Sequence, residues 1–341
     1  MRKNIHIILS FLIIPVLILL TACTDNGVIS PEEPISPTKP PSQEKLPQQT
    51  QPEPEKLPDF PMTVSDDLGR EVIIKELPKR IVSLAPSITE ILFALGLEDR
   101  IVGVTDYCDY PEAAKSKPRV ASYTTPNMEK LVSLEPDLVL AESIHEKTVL
   151  PALEKQGLTT LVSSATSIDA VLNYISLIGH INGKDKTAAQ LVNKLTDRIK
   201  AVSTKTEELT PENRPRVLYV VWHQPIWTMG SKTFTDDLIK TAGGINIFAN
   251  DFEKSRVVSL ESIVTKNPKV IIITGMGTSG DQIYNAIKNE SRLKSVDAMV
   301  NNRIYKISDA NLIERPGPRI VDGLDEMAKL IHPEIFGTVA K

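Results

Sequence analysis

The 341 residues carry a formal net charge of −4, which becomes about −6 if Arg2 and Lys3 are removed with a signal peptide. This acidic balance argues against a nucleic-acid partner and against direct binding to anionic lipid headgroups. The five histidines include no pair two to four residues apart, so metal ligation by side chains is poorly supported. No Gly-x-Ser-x-Gly elbow occurs, and nothing in the sequence indicates an enzyme.

The amino terminus has the parts of an export signal. A basic start is followed by an apolar run, Ile5–Leu20, and by small residues that end at Cys23. This ending resembles the bacterial lipobox, so we expect residues 1–22 to be a lipoprotein signal peptide and Cys23 to be lipidated. The alternative is an uncleaved transmembrane anchor, although the run is shorter than the ~20 residues that a span needs. Either way, the protein is expected outside the cytoplasm and attached to the membrane.

Residues 23–59 have the composition of a disordered tether. Ten of the chain's 25 prolines fall between Pro31 and Pro61, mixed with Gln, Glu, Lys and Ser. Such a segment cannot bury enough apolar surface to offset its ordering entropy, and its prolines favour extended conformations. At ~3 Å per residue, the tether could hold a folded body tens of ångströms from the membrane.

Residues 60–166 predict an α/β lobe. Ser87, followed by Glu90 three residues later, predicts a helix that starts with a capping box. Strands separated by helices of this length favour a parallel sheet with helices on its faces. The expected strands are Ile81–Leu84, Ile101–Thr105, Asp137–Ala141 and Thr160–Val162, and the expected helices include Ser87–Leu95 and Lys147–Gln156.

Residues 167–210 have a helical pattern. Apolar residues between Leu191 and Val202 recur every three or four positions, and Gly183 interrupts the stretch. Lys184–Glu208 therefore predicts one helix of about 25 residues, ~37 Å long. Such a helix could pack inside one lobe or connect two lobes, and its position between the two halves of the chain favours the connection.

Residues 211–341 predict a second α/β lobe. A strand is expected at Arg216–Trp222, a helix at Thr235–Thr241 and another strand at Val270–Thr274. The string 275–280 after that strand formally matches Gly-x-Gly-x-x-Gly. No acidic residue closes a following strand at the distance that a dinucleotide site requires, so a nucleotide cofactor is not expected.

One short pattern occurs in both halves of the chain. Glu129 is followed seven residues later by Pro136, Glu261 is followed in the same way by Pro268, and an apolar run begins two residues after each proline. Two copies of one helix-to-strand unit predict two similar lobes with a cleft between them. Each lobe then carries an equivalent glutamate.

The few aromatic residues cluster just after predicted strands. Tyr107 and Tyr110 follow one strand, Tyr123 lies in a polar loop, and Trp222 and Trp227 come just past another strand. Ligands of open α/β sheets bind outside the carboxyl ends of the strands, so these rings are expected to face the cleft. Core filling is the alternative for any one of them, and the group as a whole favours binding of a bulky, partly polar ligand.

The segment 311–319 predicts a stiff loop because it contains two prolines and a glycine. Arg315 in this loop could offer forked donors to an amide, phosphate or carboxylate of a ligand. The alternative is an ion pair with Glu314 or an interaction with a nearby helix end.

The strings at 80–90, 106–111, 129–139 and 314–320 together resemble the helix-linked class of periplasmic binding proteins. Members of this class serve bacterial ABC importers and carry vitamin B12, ferric siderophores or haem. The resemblance covers essentially all of residues 60–335. It implies an α/β fold with two Rossmann-like lobes, each with a parallel sheet, joined by one long backbone helix with the ligand cleft between the lobes.

The same resemblance implies a ligand and the residues that contact it. The chain is expected to capture cobalamin or a related corrinoid, with a ferric siderophore or haem as the alternative, and to need no cofactor or resident metal. Leu312 and Ile313 stand where the vitamin B12 binders are aromatic, which keeps both alternatives open. The expected ligand-contacting residues are Tyr107, Tyr123, Trp222, Asn311, Leu312, Ile313, Glu314 and Arg315.

The resemblance also implies the macromolecular partners. Glu129 and Glu261 match glutamates that engage arginines of the permease dimer of an ABC importer, which works with ATPase subunits. The membrane is expected to be reached through the lipid on Cys23, and no nucleic acid is expected as a partner.

Overall fold

Two parallel sheets form the framework of the computed structural model, which describes residues 57–275 and 280–339. The predicted signal peptide, Cys23 and all but the last residues of the predicted tether lie outside these ranges. The four central residues of the string 275–280 lie outside them as well.

The first lobe alternates strands and helices after an antiparallel hairpin formed by its first two strands. Helices between parallel strands cover the faces of a sheet. The elements are β1 (Met62–Ser65), β2 (Glu71–Ile74), β3 (Ile81–Ser83), α1 (Pro86–Ala94), β4 (Ile101–Thr105), β5 (Arg119–Ala121), α2 (Met128–Ser133), β6 (Leu138–Glu142), α3 (Leu150–Lys155) and β7 (Thr160–Ser163).

The first sheet is parallel, with the strand order β5-β4-β3-β6-β7. Strands β3 and β7 are buried along their whole length, as expected for a sheet with both faces covered. The chain adds β4 and β5 on one side of β3 and then adds β6 and β7 on the other side. The switch point therefore lies between the carboxyl ends of β3 and β6, where such sheets bind ligands.

The start of α1 differs from the prediction. Ala85 is the N-cap, and no side chain caps the helix. Ser87 donates a hydrogen bond to Glu142, and Glu90 accepts hydrogen bonds from Arg319. The expected capping box is therefore wrong, because both side chains are used in contacts with residues far away in the sequence.

Two consecutive helices, α4 (Ile168–Ile181) and α5 (Asp185–Glu207), follow the first lobe. The chain turns between them at Gly183, whose φ of +66° lies in the region that glycine adopts readily. The 23 residues of α5 extend over ~35 Å.

The second lobe contains one parallel sheet and one small antiparallel sheet, with orders β11-β8-β13-β14 and β12-β10-β9. Its elements are β8 (Arg216–Val220), β9 (Trp222–His223), β10 (Ile226–Met229), α6 (Phe234–Thr241), β11 (Ile245–Asn246), β12 (Ser255–Val257), α7 (Leu260–Lys266), β13 (Val270–Ile273), α8 (Gly280–Asn289), α9 (Asp297–Val300), β14 (Ile304–Lys306), α10 (Asn311–Glu314), α11 (Ile320–Ile331) and α12 (Pro333–Phe336).

The long helix α5 connects the two lobes. It packs against α4 and also against α6 and α11 of the second lobe. One continuous apolar cluster includes Ile178 of α4, Leu195 of α5 and Leu324 of α11. The predicted α/β fold of two lobes joined by a long helix is confirmed. Within the described part of the chain, no helix combines the length and apolar character of a membrane span.

Candidate ligand cleft and docking surface

Tyr107 and Tyr123 lie together at the carboxyl edge of the first sheet. Tyr107 follows β4, and Tyr123 follows its parallel neighbour β5. The rings meet edge to face with centroids 5.8 Å apart, and their exposed fractions are 53% and 42%. Edge-to-face packing fixes two rings relative to each other. These two predicted residues therefore form one accessible aromatic surface.

A buried histidine that the sequence analysis missed supports the Tyr123 loop. Nδ1 of His145 accepts a hydrogen bond from the backbone N–H of Glu142 at 3.2 Å, which requires a neutral ring with its proton on Nε2. Nε2 then donates to the carbonyl of Tyr123 at 3.3 Å. Burial lowers the pKa of His145 and so favours this neutral form. The available signal was a histidine just after a buried strand.

Glu142 was also missed, and it ends β6 at the switch point of the first sheet. Its carboxylate accepts a hydrogen bond from the hydroxyl of Ser87 at 2.5 Å. Burial raises the pKa of Glu142, and the hydrogen bond from Ser87 opposes this rise only in part. An acidic residue at the end of a buried strand was the signal in the sequence.

Glu314 brings a carboxyl group from the second lobe into the same region. Burial raises the pKa of Glu314 to about 7, although solvent still reaches the side chain. The side chain of Glu314 is therefore partly covered by neighbouring groups and partly open to solvent. The pKa of Tyr123 is raised first by burial and then by the charges of Glu142 and Glu314, which places both carboxyl groups near the phenol.

Two arginines of the second lobe bind carboxylates of the first lobe. Arg315 donates to Asp109 at 2.5 Å and lies 3.8 Å from Glu90. Arg319 donates to both carboxylate oxygens of Glu90, at 2.8 and 2.6 Å, and its guanidinium lies 4.0 Å from the ring centroid of Tyr110. These contacts cross directly from one lobe to the other.

Burial and ion pairing act in opposite directions on these acids. For Asp109, burial alone would raise the pKa, but the hydrogen bond and charge of Arg315 outweigh it and lower the pKa. For Glu90, burial outweighs Arg319 and raises the pKa. The hydrogen bond with Glu90 raises the pKa of Arg319. Burial dominates for Glu90, which has 2% of its side chain exposed, whereas the ion pair dominates for Arg319, which has 15% exposed.

The structure corrects two expectations for the segment 311–315. Ile313 is 1% exposed and packs in the core, so it offers a ligand no surface. Arg315 is paired with Asp109 instead of presenting an open fork to a ligand or pairing with Glu314. Asn311 and Leu312 remain partly exposed, and their ligand contacts stay a prediction.

Trp222 lies at the corresponding edge of the second sheet. It follows β8 after one residue, and β8 pairs with β13, which is followed by Thr274. The exposed fraction of Trp222 is 38%, and its indole N–H donates to the carbonyl of Gln224 at 3.1 Å. The switch point of this sheet lies between β8 and β13, so Trp222 occupies the edge at which ligands bind.

Glu129 and Glu261 occupy equivalent positions in the two lobes. Each is the exposed second residue of its helix, α2 or α7. Asn127 and Ser259 cap these helices with side-chain oxygens that accept backbone hydrogen bonds. The backbone N–H of Glu261 itself and then the hydroxyl of Ser259 lower the pKa of Glu261, which keeps it ionised.

The structural repeat extends beyond the pattern seen in the sequence. The residue before each proline has a left-handed backbone, with φ of +46° at Glu135 and +41° at Asn267. Arg80, just before β3, donates to the carbonyls that follow α2, and Arg216, at the start of β8, donates to those at the end of α7. In each lobe an arginine therefore caps the helix that carries the exposed glutamate. The signal in the sequence for both capping contacts was an arginine at or just before the start of a buried strand.

No cluster of three or more His, Cys, Asp or Glu side chains in residues 57–275 and 280–339 could hold a metal ion. The candidate site is therefore made of aromatic rings, carboxyl groups and arginines that are already paired. Such a surface can bind a ligand by burial of flat apolar faces and by hydrogen bonds to polar edges.

Two α/β lobes on a connecting helix, with ion pairs that cross between them, define a solute-binding protein. The chain belongs to the periplasmic binding protein family, whose model matches residues 81–310. The resemblance predicted from the sequence is confirmed. The chain is a substrate-binding protein of an ABC transporter and acts outside the cytoplasm, and its family consists of solute binders.

Three similar proteins show the range of the family. The Bacillus subtilis protein YvrC, named as an uncharacterized ABC transporter substrate-binding lipoprotein, is 34% identical over 285 residues, which cover 81% of this chain and 87% of that protein. The vitamin B12-binding protein BtuF of Vibrio cholerae has a TM-score of 0.64 and 28% identity over 74% of this chain and 96% of its own. A possible iron-binding protein of Staphylococcus epidermidis has a TM-score of 0.66 and 31% identity over 75% of this chain and 100% of its own.

Proposed function

We propose that the protein captures cobalamin or a related corrinoid in its cleft and delivers it to the permease of an ABC importer. One observation carries this proposal. Tyr107 and Tyr123 of the first lobe and Trp222 of the second are exposed at the sheet edges where ligands of such folds bind. Aromatic surfaces on both lobes suit a large ligand with flat apolar faces.

The charges near the cleft support a neutral ligand rich in amides. Arg315 and Arg319 are each paired with a carboxylate, whereas Glu142 and Glu314 add carboxyl groups. An anionic ligand, such as haem with its propionates, would meet carboxyl groups and arginines that are already paired. Burial raises the pKa of both carboxyl groups, and a protonated carboxyl group can accept from the amide N–H groups of a corrinoid and donate to its amide carbonyls. The vitamin B12-binding relative agrees with this assignment.

A ferric-siderophore or haem-binding lipoprotein of an iron importer is the second candidate. The similar protein named as possibly iron-binding favours this candidate. Tyrosine is also a known iron ligand through its phenolate oxygen, and Tyr107 and Tyr123 are two exposed tyrosines. Against it, burial and two nearby carboxyl groups raise the pKa of Tyr123 and oppose formation of a phenolate. The corrinoid assignment therefore has the stronger physical support.

Delivery uses Glu129 and Glu261 in this proposal. Each lobe presents one exposed glutamate at the same position of a capped helix, which suits a two-fold permease dimer with arginines at its surface. The remaining second-lobe contacts with the ligand come from Asn311, Leu312 and Glu314.

We also propose that residues 1–22 are removed, that Cys23 is lipidated and that residues 23–59 form the tether. The name of the B. subtilis relative as a lipoprotein supports the anchor. When cells are grown with a labelled fatty acid, the label should appear on the natural chain and not on the Cys23→Ser variant. The proposed folded parts are the lobe 60–166, the helical segment 167–210 and the lobe 211–341.

Titration of the purified mature chain with cyanocobalamin, hemin and a ferric hydroxamate separates the candidates. We expect cyanocobalamin to bind with micromolar or tighter affinity and the two iron compounds to fail under the same conditions. Tyr107→Ala with Tyr123→Ala should weaken this binding, whereas the exposed control Ile73→Ala should not. Binding of an iron compound alone would transfer the assignment to iron uptake.

A further inference from the structure

Three apolar side chains form a row across the small antiparallel sheet. Trp222 is the direct partner of Trp227 between β9 and β10, and Trp227 is the direct partner of Val257 between β10 and β12. Directly opposed residues project their side chains from the same face of a sheet. Their exposed fractions are 38%, 39% and 41%. We call Trp222, Trp227 and Val257 the tryptophan platform.

The burial pattern of β10 shows that the platform is the outer face of this sheet. Ile226 and Thr228 are 7% and 0% exposed, so they face the lobe, and Trp227 between them points away from it. An antiparallel sheet with one buried face normally carries polar residues on the other face. Each of the three strands here has an apolar residue on the outer face, and Ser255 of β12 is the polar neighbour. An exposed apolar surface of this kind marks an interaction site.

A cavity of about 320 Å³ lies at the platform, lined by Val221, Trp222, Trp227, Met229 and Ser255. None of these lining side chains is ionisable, so charge does not select the occupant. The volume is at the lower end of the range for small-molecule sites, which fits a side group of a ligand and not a whole corrin ring. The hydrogen bond from the Trp222 indole to Gln224 fixes the orientation of one wall.

The platform is continuous with the proposed ligand cleft. Val221 and Trp222 follow β8 directly at the switch point of the second sheet, and the backbone N–H of Val221 donates to the carbonyl of Trp227 at 3.1 Å. The cavity is therefore attached to the edge at which an open α/β sheet binds its ligand.

We propose that the tryptophan platform is a subsite for a flat, uncharged aromatic heterocycle that the ligand carries as a side group. This inference rests on the proposed function, and the group is then the nucleotide base of a complete corrinoid. Indole faces bind such bases by stacking, which requires no hydrogen-bond code. Trp227 was expected to face the cleft but was not among the ligand contacts that the resemblance implied, and it becomes a specificity-determining residue.

The test compares cyanocobalamin, which carries the base, with dicyanocobinamide, which lacks it. Affinities are measured for the natural chain, for Trp227→Leu, for Trp227→Phe and for the control Ile73→Ala, which replaces an exposed apolar strand residue outside the second lobe. We expect Trp227→Leu to weaken cyanocobalamin binding about tenfold or more and to change dicyanocobinamide binding less than about twofold. Trp227→Phe keeps a flat ring and should retain most of the affinity.

The outcomes separate this inference from the proposed function. Equal weakening of both compounds by Trp227→Leu, or no effect on either, would overturn the base subsite and leave corrinoid binding intact. Failure of the natural chain to bind either compound would overturn both. If Trp227→Leu does not fold, Trp227→Gln, which places a polar side chain without a ring at this exposed position, decides the question through the same ratio of the two affinities.

Discussion

Glu90 and Arg319 join the two lobes through two hydrogen bonds, 2.8 and 2.6 Å long, although 229 residues separate them in the sequence. Glu90 lies on α1 of the first lobe, and Arg319 is the N-cap of α11 in the second. Both side chains are largely buried. Two-point contact restricts rotation as well as separation, so this pair fixes the angle between the lobes.

Glu90→Ala should destabilise the fold by about 3–5 kcal/mol, because it leaves the buried guanidinium of Arg319 without its main partner. Urea unfolding of the purified chain measures this change. The matched control is Glu112→Ala, which breaks an exposed ion pair with Lys115 and should leave the midpoint unchanged. Replacement of both Glu90 and Arg319 by Met should recover most of the loss. A Glu90→Ala variant as stable as the control would contradict the role of the pair.

The lobes and the connecting helix could be predicted from the sequence because their signals are local. The apolar spacing in the long helix predicts Lys184–Glu208, and the structure has Asp185–Glu207. Side-chain partners were harder, because they come from distant parts of the chain. Ser87 and Glu90 have the spacing of a capping box, yet their partners lie 55 and 229 residues away.

The candidate site was predictable to a similar degree. Exposed aromatic residues after strands were found at Tyr107, Tyr123 and Trp222, since polar neighbours and strand ends mark them in the sequence. Ile313 and Arg315 were assigned as ligand contacts through the family resemblance, and Arg315 also through its place in a stiff loop. The turn of a short helix decides which of its side chains faces inward, and the sequence of α10 alone does not show it.

Replacement of both Glu129 and Glu261 by Ala should abolish uptake of the ligand and leave its affinity near normal. Both side chains are exposed on short helices outside the candidate cleft, so their loss removes charge from the docking surface without disturbing the site. Uptake of radiolabelled cobalamin by cells and binding by the purified protein are the two measurements. Glu146→Ala with Glu208→Ala, which removes two other exposed glutamates, is the control. Normal uptake by the first variant would exclude the docking role.

The capping arginines should affect transport through the same two helices. Arg80→Ala with Arg216→Ala removes the donors that satisfy carbonyls at the ends of α2 and α7, and each change should cost about 1 kcal/mol. We expect faster backbone hydrogen exchange in both helices and reduced uptake with unchanged ligand affinity. Lys294→Ala serves as the control for loss of a surface charge. Unchanged exchange in α2 and α7 would show that the arginines do not hold these helices.

Acid should loosen the Tyr123 loop through His145. The pKa of His145 in the folded protein is lowered by burial, so the unfolded chain binds more protons as the pH falls. The stabilisation is therefore complete above the unfolded pKa of about 6.5 and is lost as the pH falls through the folded value. Ligand affinity should decline in the same window, because the protonated ring can no longer accept from Glu142.

His145→Gln should remove this part of the pH dependence, as measured by thermal unfolding between pH 5 and pH 8. A profile that is identical in both proteins would count against the proposed support.

Glu314 should make ligand binding weaker as the pH rises through neutrality. Its pKa in the free protein is raised to about 7 by burial, so it is half protonated at neutral pH. A ligand bound against Glu314 excludes more water from its side chain, which disfavours the carboxylate further and raises the pKa of Glu314 in the complex. Linkage then requires that binding takes up a proton, and the affinity falls by at most about tenfold per pH unit above pH 7.

The Glu314→Gln variant, which is neutral at every pH, should show an affinity that does not change over pH 6 to 9. The control Glu253→Gln, at an exposed glutamate in the same lobe, should retain the slope of the natural chain. Equal slopes in all three proteins would mean that another group near the ligand titrates, and an affinity that rises with pH would mean that the ligand prefers the carboxylate as a hydrogen-bond acceptor.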